Sequence, residues 1–404
     1  LSREAMSMTS RWMLYGANGY TGRLIAAEAL RRGMSPVIAG RGRAAIEAMA
    51  SATGLGYSVF DLDDDAAASE AVRGFGLVLH CAGPFSATSQ QMIEACLRHR
   101  CHYLDITGEI AVFANAHGRS EDARRADVVL VPGVGFDVVP SDCLAARLVE
   151  QLPAATSLAL AFKSGGKVSP GTAKTSIEGL AGGGCIRKDG NLQSVPLAWK
   201  TREIPFADGR SLAVTIPWGD VFTAYVSTGV PDIEVYMAVR PSMLRRMKRA
   251  RTMKPLLAVK WVQNMMKRRV EKVISGPSAE QRAASGMQLW GEARSADGRS
   301  VSGCMQTPDG YDFTVTASLG IVQHLLQHET EGGFYTPSLL MGAGYAEGLP
   351  GGWRPATLQP VCPRQPPGSG WSWSNPARRR ILQLFRRRTA PAGHARWRPT
   401  RKLR

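Results

Sequence analysis

The chain has 404 residues, 44% of them hydrophobic and 21% charged, which suits an α/β protein of two domains and an appendage. No apolar run is long enough to cross a bilayer as a helix. A net charge of +17 suggests a nucleic-acid partner, but its distribution argues against one: residues 240–272 hold twelve Lys/Arg against Glu271, residues 351–404 hold thirteen and no acid, and the remainder sums to −7.

The N-terminus lacks the apolar core of a signal peptide. With Leu1 in first place, the initiating residue is expected at Met6 or Met8, unless the start codon is an unusual one. Seven cysteines (Cys81, Cys96, Cys101, Cys143, Cys185, Cys304, Cys362) include no C-x-x-C pair, which points to reduced thiols and a cytoplasmic location. Buried structural cysteine is favoured over a catalytic thiol.

From residue 12 to 131, short apolar runs alternate with amphipathic ones. Trp12–Tyr15, Ser35–Ala39, Tyr57–Phe60, Leu77–Cys81, Tyr103–Ile106 and Val128–Val131 read as buried strands. Thr21–Arg32, Ala44–Ala52, Ala66–Arg73 and Ser89–His99 read as helices. That rhythm predicts a doubly wound parallel sheet of Rossmann type over residues 8–145. After Pro140 the rhythm changes. Ser141 is expected to cap a helix carrying Leu144, Leu148 and Val149. Strands are expected at Ser157–Lys163, Leu212–Ile216, Glu234–Val239, Met287–Ser295 and Asp312–Ala317, with hairpins or tight turns at Asp297-Gly298 and Asp309-Gly310. Residues 146–350 are thus expected to form a mixed α+β domain, assigned to substrate binding and homodimer formation. The segment beyond Pro255 reads as a cationic amphipathic helix, which packs on its own domain or meets a membrane surface, a carrier protein, an acidic substrate or, least favoured, a nucleic acid. Residues 351–404, rich in Pro, Arg and Trp and lacking acids, are expected to be disordered.

The strongest motif is Gly16-Ala-Asn-Gly19-Tyr-Thr-Gly22, placed between a buried strand and a helix. Glycines there allow a tight turn and close approach of a pyrophosphate to the helix N-terminus. Gly16, Asn18, Gly19, Tyr20, Thr21 and Gly22 are therefore dinucleotide-site candidates. An NAD site usually carries an acid about 20 residues on. Here the second strand runs into Gly40-Arg41-Gly42-Arg43, and Arg41, with Arg43 in support, suits a 2′-phosphate. NADP(H) is preferred over NAD(H). Ala82, Gly83, Pro84 and Phe85, after the fourth strand, are placed to pass beneath the nicotinamide-side ribose. No Tyr is followed four residues later by Lys, so the proton relay of short-chain dehydrogenases is absent. No metalloprotease, nucleophile-elbow or P-loop motif occurs. His324 and His328 have a metal-compatible spacing, but without a carboxylate beside them a half-exposed helix face is the better reading, and no metal is expected.

Gly16–Gly22, Ala39-Gly-Arg41, Ala82–Phe85, Tyr103–Glu109 and Pro132–Asp142 together resemble the saccharopine dehydrogenase-like oxidoreductases. Gly171–Thr175, Gly276–Arg282 and Gly310–Thr314 add to the likeness, which covers about residues 11–345. Within the family the chain looks most like the bacterial branch that includes trans-acting enoyl reductases. The resemblance implies NADPH-dependent reduction of an enoyl group in an acyl-lipid or polyketide-derived substrate. A saccharopine-type amino-acid dehydrogenase and a non-catalytic, membrane-associated nucleotide-binding scaffold are the alternatives. Lys174 and Thr172 are candidates for stabilising an enolate-like oxygen, and Asp105 and Asp137 are further catalytic candidates. The likeness fades after Tyr345, which makes an out-of-frame continuation a second expectation for the tail.

Overall fold

A four-residue apolar run, Trp12–Tyr15, forms strand β1, buried along its whole length. A strand covered on both faces belongs at the centre of a parallel sheet. β1 lies between β2 (Val37–Gly40) and β4 (Leu77–His80), parallel to both, with Leu14 opposite Ile38 and Leu79. β3 (Tyr57–Val59), β5 (His102–Asp105) and β6 (Val129–Val131) extend the sheet in the order β6-β5-β4-β1-β2-β3. The structure is a computed structural model and describes residues 11–166, 168–173, 182–251, 259–349 and 359–361. Helices Tyr20–Arg31, Arg43–Thr53, Asp65–Val72 and Phe85–His99 link these strands.

A second, mixed sheet is centred on β7 (Ala155–Ser164), which pairs in parallel with β12 (Asp232–Ala238) and antiparallel with β13 (Gly286–Ser295). β13 turns back through Asp297-Gly298 into β14 (Ser300–Pro308), with Gly298 at φ +86°. β10 (Thr201–Phe206) and β11 (Gly209–Thr215) extend the other side, and the hairpin β8 (Gly184–Lys188)–β9 (Asn191–Val195) branches from β12. The expected class, a doubly wound parallel sheet followed by a mixed domain, is the class observed.

Two helices join the sheets in one apolar core. Helix Val139–Gln151 presses Leu144 and Leu148 onto β13 at Gly291, where a Cβ would lie 2.6 Å from Leu148 Cδ1. Each fully buried leucine contributes about 1.5–3 kcal/mol. Helix Gly310–Gln327 buries Phe313, Ala317 and Ile321 in the same core as Leu14 and Leu79 of the first sheet. The chain then returns as β15 (Gly333–Phe334), a seventh strand beside β6.

Several expectations are corrected. Asp312–Ala317 is helix rather than strand. Its β-branched run Thr314-Val315-Thr316 has strand propensity, but Asp309 caps the segment by accepting the Tyr311 N–H at 2.9 Å, and Asp309-Gly310 is thus a helix start, not a hairpin. Ser141 lies inside its helix, its hydroxyl donating to Asp220 Oδ1 at 2.7 Å. Within the 351–404 segment, residues 359–361 form β16 and pair with β14, and the rest lies outside the described residues. Helix Lys260–Val273 stands where the cationic amphipathic helix was expected, preceded by a second helix, Pro241–Ala250.

Candidate functional site

The glycine-rich turn closes on itself through bonds from Gly16 N to Ala39 O (2.8 Å) and Gly19 N to Gly16 O (3.0 Å). Its three glycines serve different purposes. A Cβ on Gly16 would lie 2.7 Å from Ala82 N, and one on Gly22 only 2.4 Å from Gly16 O. Those two are fixed by the backbones of neighbouring strand and turn. Gly19 meets nothing but Gly16 O at 3.1 Å and is otherwise open. Helix Tyr20–Arg31 has no side-chain cap and no acid in its first turn, so its N-terminus keeps its positive end available. Asn18 faces the end of β2, its Oδ1 3.2 Å from where a Gly40 Cβ would stand.

The two arginines after β2 are not equivalent. Arg43 opens a helix and pairs with Glu47 at 3.0 Å. Arg41 is exposed and forms no ion pair among the described residues. It lies near Tyr15, whose hydroxyl burial pushes up to about 12 while Arg41 draws it down. Past β4, Ala82, Gly83 and Pro84 form a loop into helix Phe85–His99, and Phe85 is buried edge-on against His80 at 5.3 Å.

Beside that loop stands a cluster of carboxyls. Glu109 accepts the Phe85 and Ser86 N–H groups at 2.9 and 3.0 Å, capping the helix. Asp105 is fully buried and accepts from Tyr103 Oη (2.7 Å), Thr107 N (2.9 Å) and Gly133 N (2.9 Å), which ties the loops after β5 and β6 together. Burial raises its pKa to about 6 against the pull of those bonds. Asp137 follows β6. Its backbone carbonyl accepts the Trp218 indole N–H at 2.7 Å, but among the described residues no hydrogen bond reaches its carboxyl. The residue keeps some surface open, yet the carboxyl lies deep enough that burial, aided by the charge of Glu109, raises its pKa to about 7. An aromatic wall adjoins it: Phe313 against Phe136 (6.0 Å), Phe136 against Phe162 (6.4 Å), and Phe162 against Trp218 (5.0 Å).

The second sheet reaches the glycine-rich turn through Tyr20. Its hydroxyl donates to Pro277 O at 2.6 Å and accepts from Arg282 at 3.0 Å, while Arg282 also pairs with Asp312 at 2.7 Å. The Tyr20 ring leaves no room for a Cβ on Gly276 and meets Tyr311 edge-on at 4.9 Å. The Tyr311 hydroxyl in turn accepts the Ser169 N–H and contacts Thr172 Oγ1 at 3.1 Å. One turn along the same helix, Thr314 Oγ1 accepts the Phe136 N–H at 2.9 Å. Five separated sequence motifs therefore meet at one sheet edge. Lys174 lies outside the described residues, so only Thr172 of the paired enolate candidates is placed. Lys163 is engaged with Asp208 at 2.8 Å. Trp218 was not selected from the sequence; Tyr311, Glu109 and Arg282 stand inside motifs that were, but nothing local to them signals what they touch. His324 and His328 stack on each other at 4.7 Å, and among the described residues no group of His, Cys, Asp and Glu has the makings of a metal site. Nor is any described helix long and apolar enough to cross a membrane. Burial raises the thiols of Cys81, Cys101 and Cys143, which disfavours a reactive thiolate at any of them.

Residues 12–131 match the saccharopine dehydrogenase NADP-binding domain. The likeness to the saccharopine dehydrogenase-like oxidoreductases is carried by this domain. It is 26% identical over 214 residues to the saccharopine dehydrogenase-like oxidoreductase of Rattus norvegicus, a match covering 46% of this chain and 50% of the relative. It is 29% identical over 140 residues to a trans-acting enoyl reductase of Mycobacterium leprae, covering 32% of this chain and 33% of that one. The chain thus spans half or less of these relatives' length. Apo saccharopine dehydrogenase (L-Glu forming) of Saccharomyces cerevisiae has the same fold, with a TM-score of 0.61 at 10% identity, covering 87% of this chain and all of that one.

Proposed function

We propose that the chain is an NADPH-dependent reductase of an enoyl double bond in an acyl-lipid or polyketide-derived substrate. The observation that carries this reading is Asp137: a carboxyl without a hydrogen-bond partner among the described residues, at the edge where the nucleotide turn ends, beside an aromatic wall. The nucleotide fits the residues present. Gly19 is open where a pyrophosphate would approach, the helix behind it has no side-chain cap, and Arg41, with no ion pair among the described residues, is placed for a 2′-phosphate.

Bound NADPH supplies the hydride that adds to the β-carbon. Asp137, kept protonated towards neutral pH by burial and by Glu109, delivers a proton to the α-carbon. Thr172, in contact with the Tyr311 hydroxyl, is the candidate hydrogen-bond partner of the enolate-like oxygen. Phe136, Phe162 and Trp218 suit an acyl chain better than the charged ends of an amino acid, since Arg282 and Lys163 are already paired with Asp312 and Asp208. The likeness to an enoyl reductase supports the same choice.

NADPH oxidation by the purified chain, followed against a panel of enoyl thioesters and of 2-oxo acids mixed with amino acids, tests the proposal. Turnover with the enoyl thioesters is expected. Turnover with the oxo-acid mixtures alone would transfer the chain to saccharopine-type chemistry. Tight NADPH binding without turnover on either set would make it a nucleotide-binding scaffold.

A further inference from the structure

The reductase reading leaves one part of the chain unused. Helix Pro241–Ala250 contains no acid and exposes Arg245, Arg246, Lys248 and Arg249 to solvent, while Met247 faces inward. Its end is fixed to the second sheet's connections, where Arg251 donates to Leu197 O at 2.6 Å. Helix Lys260–Val273 buries Val262 but leaves Trp261 65% and Met265 55% exposed, with Val273 at its end 75% exposed. Met243 and Val259 are exposed as well, so five of the twelve large apolar side chains exposed among the described residues fall within 243–273. Solvent-facing tryptophan and aliphatic side chains are costly in water, and their concentration in one stretch marks a contact surface.

We propose that helices Pro241–Ala250 and Lys260–Val273 dock on an anionic lipid surface. The assignment is independent of the reductase reading. Residues 240–272 carry twelve Lys/Arg and a single acid, which a negatively charged headgroup layer complements. A nucleic acid offers the same charge but no hydrocarbon for Trp261, Met265 and Val273. An acidic carrier protein would need an apolar groove matched to this face. A bilayer needs no matched shape, because long cationic side chains reach the headgroups while the apolar ones enter the acyl boundary.

The test is co-sedimentation of the full chain with vesicles of phosphatidylcholine, alone or mixed with phosphatidylglycerol. Binding is expected only with phosphatidylglycerol and should weaken as salt is raised. Trp261→Ser with Met265→Ser, and separately Arg245→Gln with Arg246→Gln, should each lower partitioning on the order of tenfold. Arg98→Gln with Arg100→Gln, two exposed cations of the first domain, should change it by less than about twofold, the expectation for charges away from the contact. Unaltered circular dichroism certifies the fold of each variant, and either helix pair alone suffices to test the surface. Equal binding to neutral vesicles, undiminished binding by both helix variants, or capture by duplex DNA or an acidic acyl carrier protein in place of vesicles would overturn the proposal.

Discussion

The glycine-rich turn and the Asp137 loop lie at the same edge of one sheet but are assembled differently. The turn is made from seven consecutive residues, and the neighbours that fix it, Ala39 of β2 and Ala82 of the loop after β4, flank β1 on either side. The Asp137 loop is held by Trp218 from beyond β11, by Thr314 from the helix after β14, and by the Asp105 bond to Gly133. Local construction makes a site readable in sequence and robust to distant change. Construction from remote segments makes chemistry depend on the packing of the two sheets.

Glycine substitutions separate the two requirements within the turn and carry the largest expected effects. Gly22→Val places side-chain atoms against the Gly16 carbonyl and Ala17 Cα, backbone that has no room to move. It should destabilise the fold by about 3 kcal/mol, seen as a lower thermal midpoint. Gly19→Asp should fold like the parent yet lose NADPH affinity about a hundredfold, because its carboxylate would stand in the pyrophosphate site. Normal NADPH binding by Gly19→Asp would remove the turn from the cofactor site.

Asp137→Asn addresses the other half of the comparison. Turnover should fall about 10²- to 10⁴-fold with the NADPH Kd unchanged. In the parent, turnover should decline as pH rises through about 7, where the proton donor is lost. Stability follows the same group. Its folded pKa lies above the unfolded value, so the folded state binds more protons between about pH 4 and 7, and stability falls across that window. Asp137→Asn should therefore have the higher thermal midpoint at pH 8, with the gap closing towards pH 4.

Arg41→Ala should weaken NADPH binding about 10- to 100-fold and leave NADH binding unchanged, the loss expected for a charge-assisted phosphate contact. Arg43→Ala should stay within about twofold, since its exposed pairing with Glu47 is worth only a few tenths of a kcal/mol. Equal losses for both arginines would mean that general positive charge, rather than Arg41, selects the phosphate.

The order of legibility follows the same division. Alternating apolar and amphipathic runs located six strands and four helices around the first sheet to within a few residues, because a strand buried on both faces allows few other patterns; helices Ile110–Gly118 and Ser120–Ala126 were not anticipated. Asp312–Ala317 misled because β-branched side chains favour strands, whereas the deciding bond comes from Asp309, three residues upstream. The return of Gly333–Phe334 to the first sheet left no local trace, since two residues cannot carry a period. Trp218 was likewise silent, since its role arises from a carbonyl 81 residues away, and Glu109, though inside a legible motif, gives no local sign that it caps a helix 23 residues earlier.

Tyr311 joins the two halves and carries the smallest predicted effect. Its hydroxyl serves the substrate side, accepting the Ser169 N–H and contacting Thr172, while its ring edge serves the nucleotide side by packing on Tyr20. Tyr311→Phe removes the first and keeps the second. Stability should drop by about 1 kcal/mol, the net worth of a typical hydrogen bond. The KM for the enoyl substrate should rise while the NADPH Kd holds, because Thr172 loses the Tyr311 contact but Tyr20 keeps its ring contact. A parallel loss of NADPH affinity would mean that the turn takes its shape from the hydroxyl network of the second sheet, and the locally built half of the site would then be no more independent than the other.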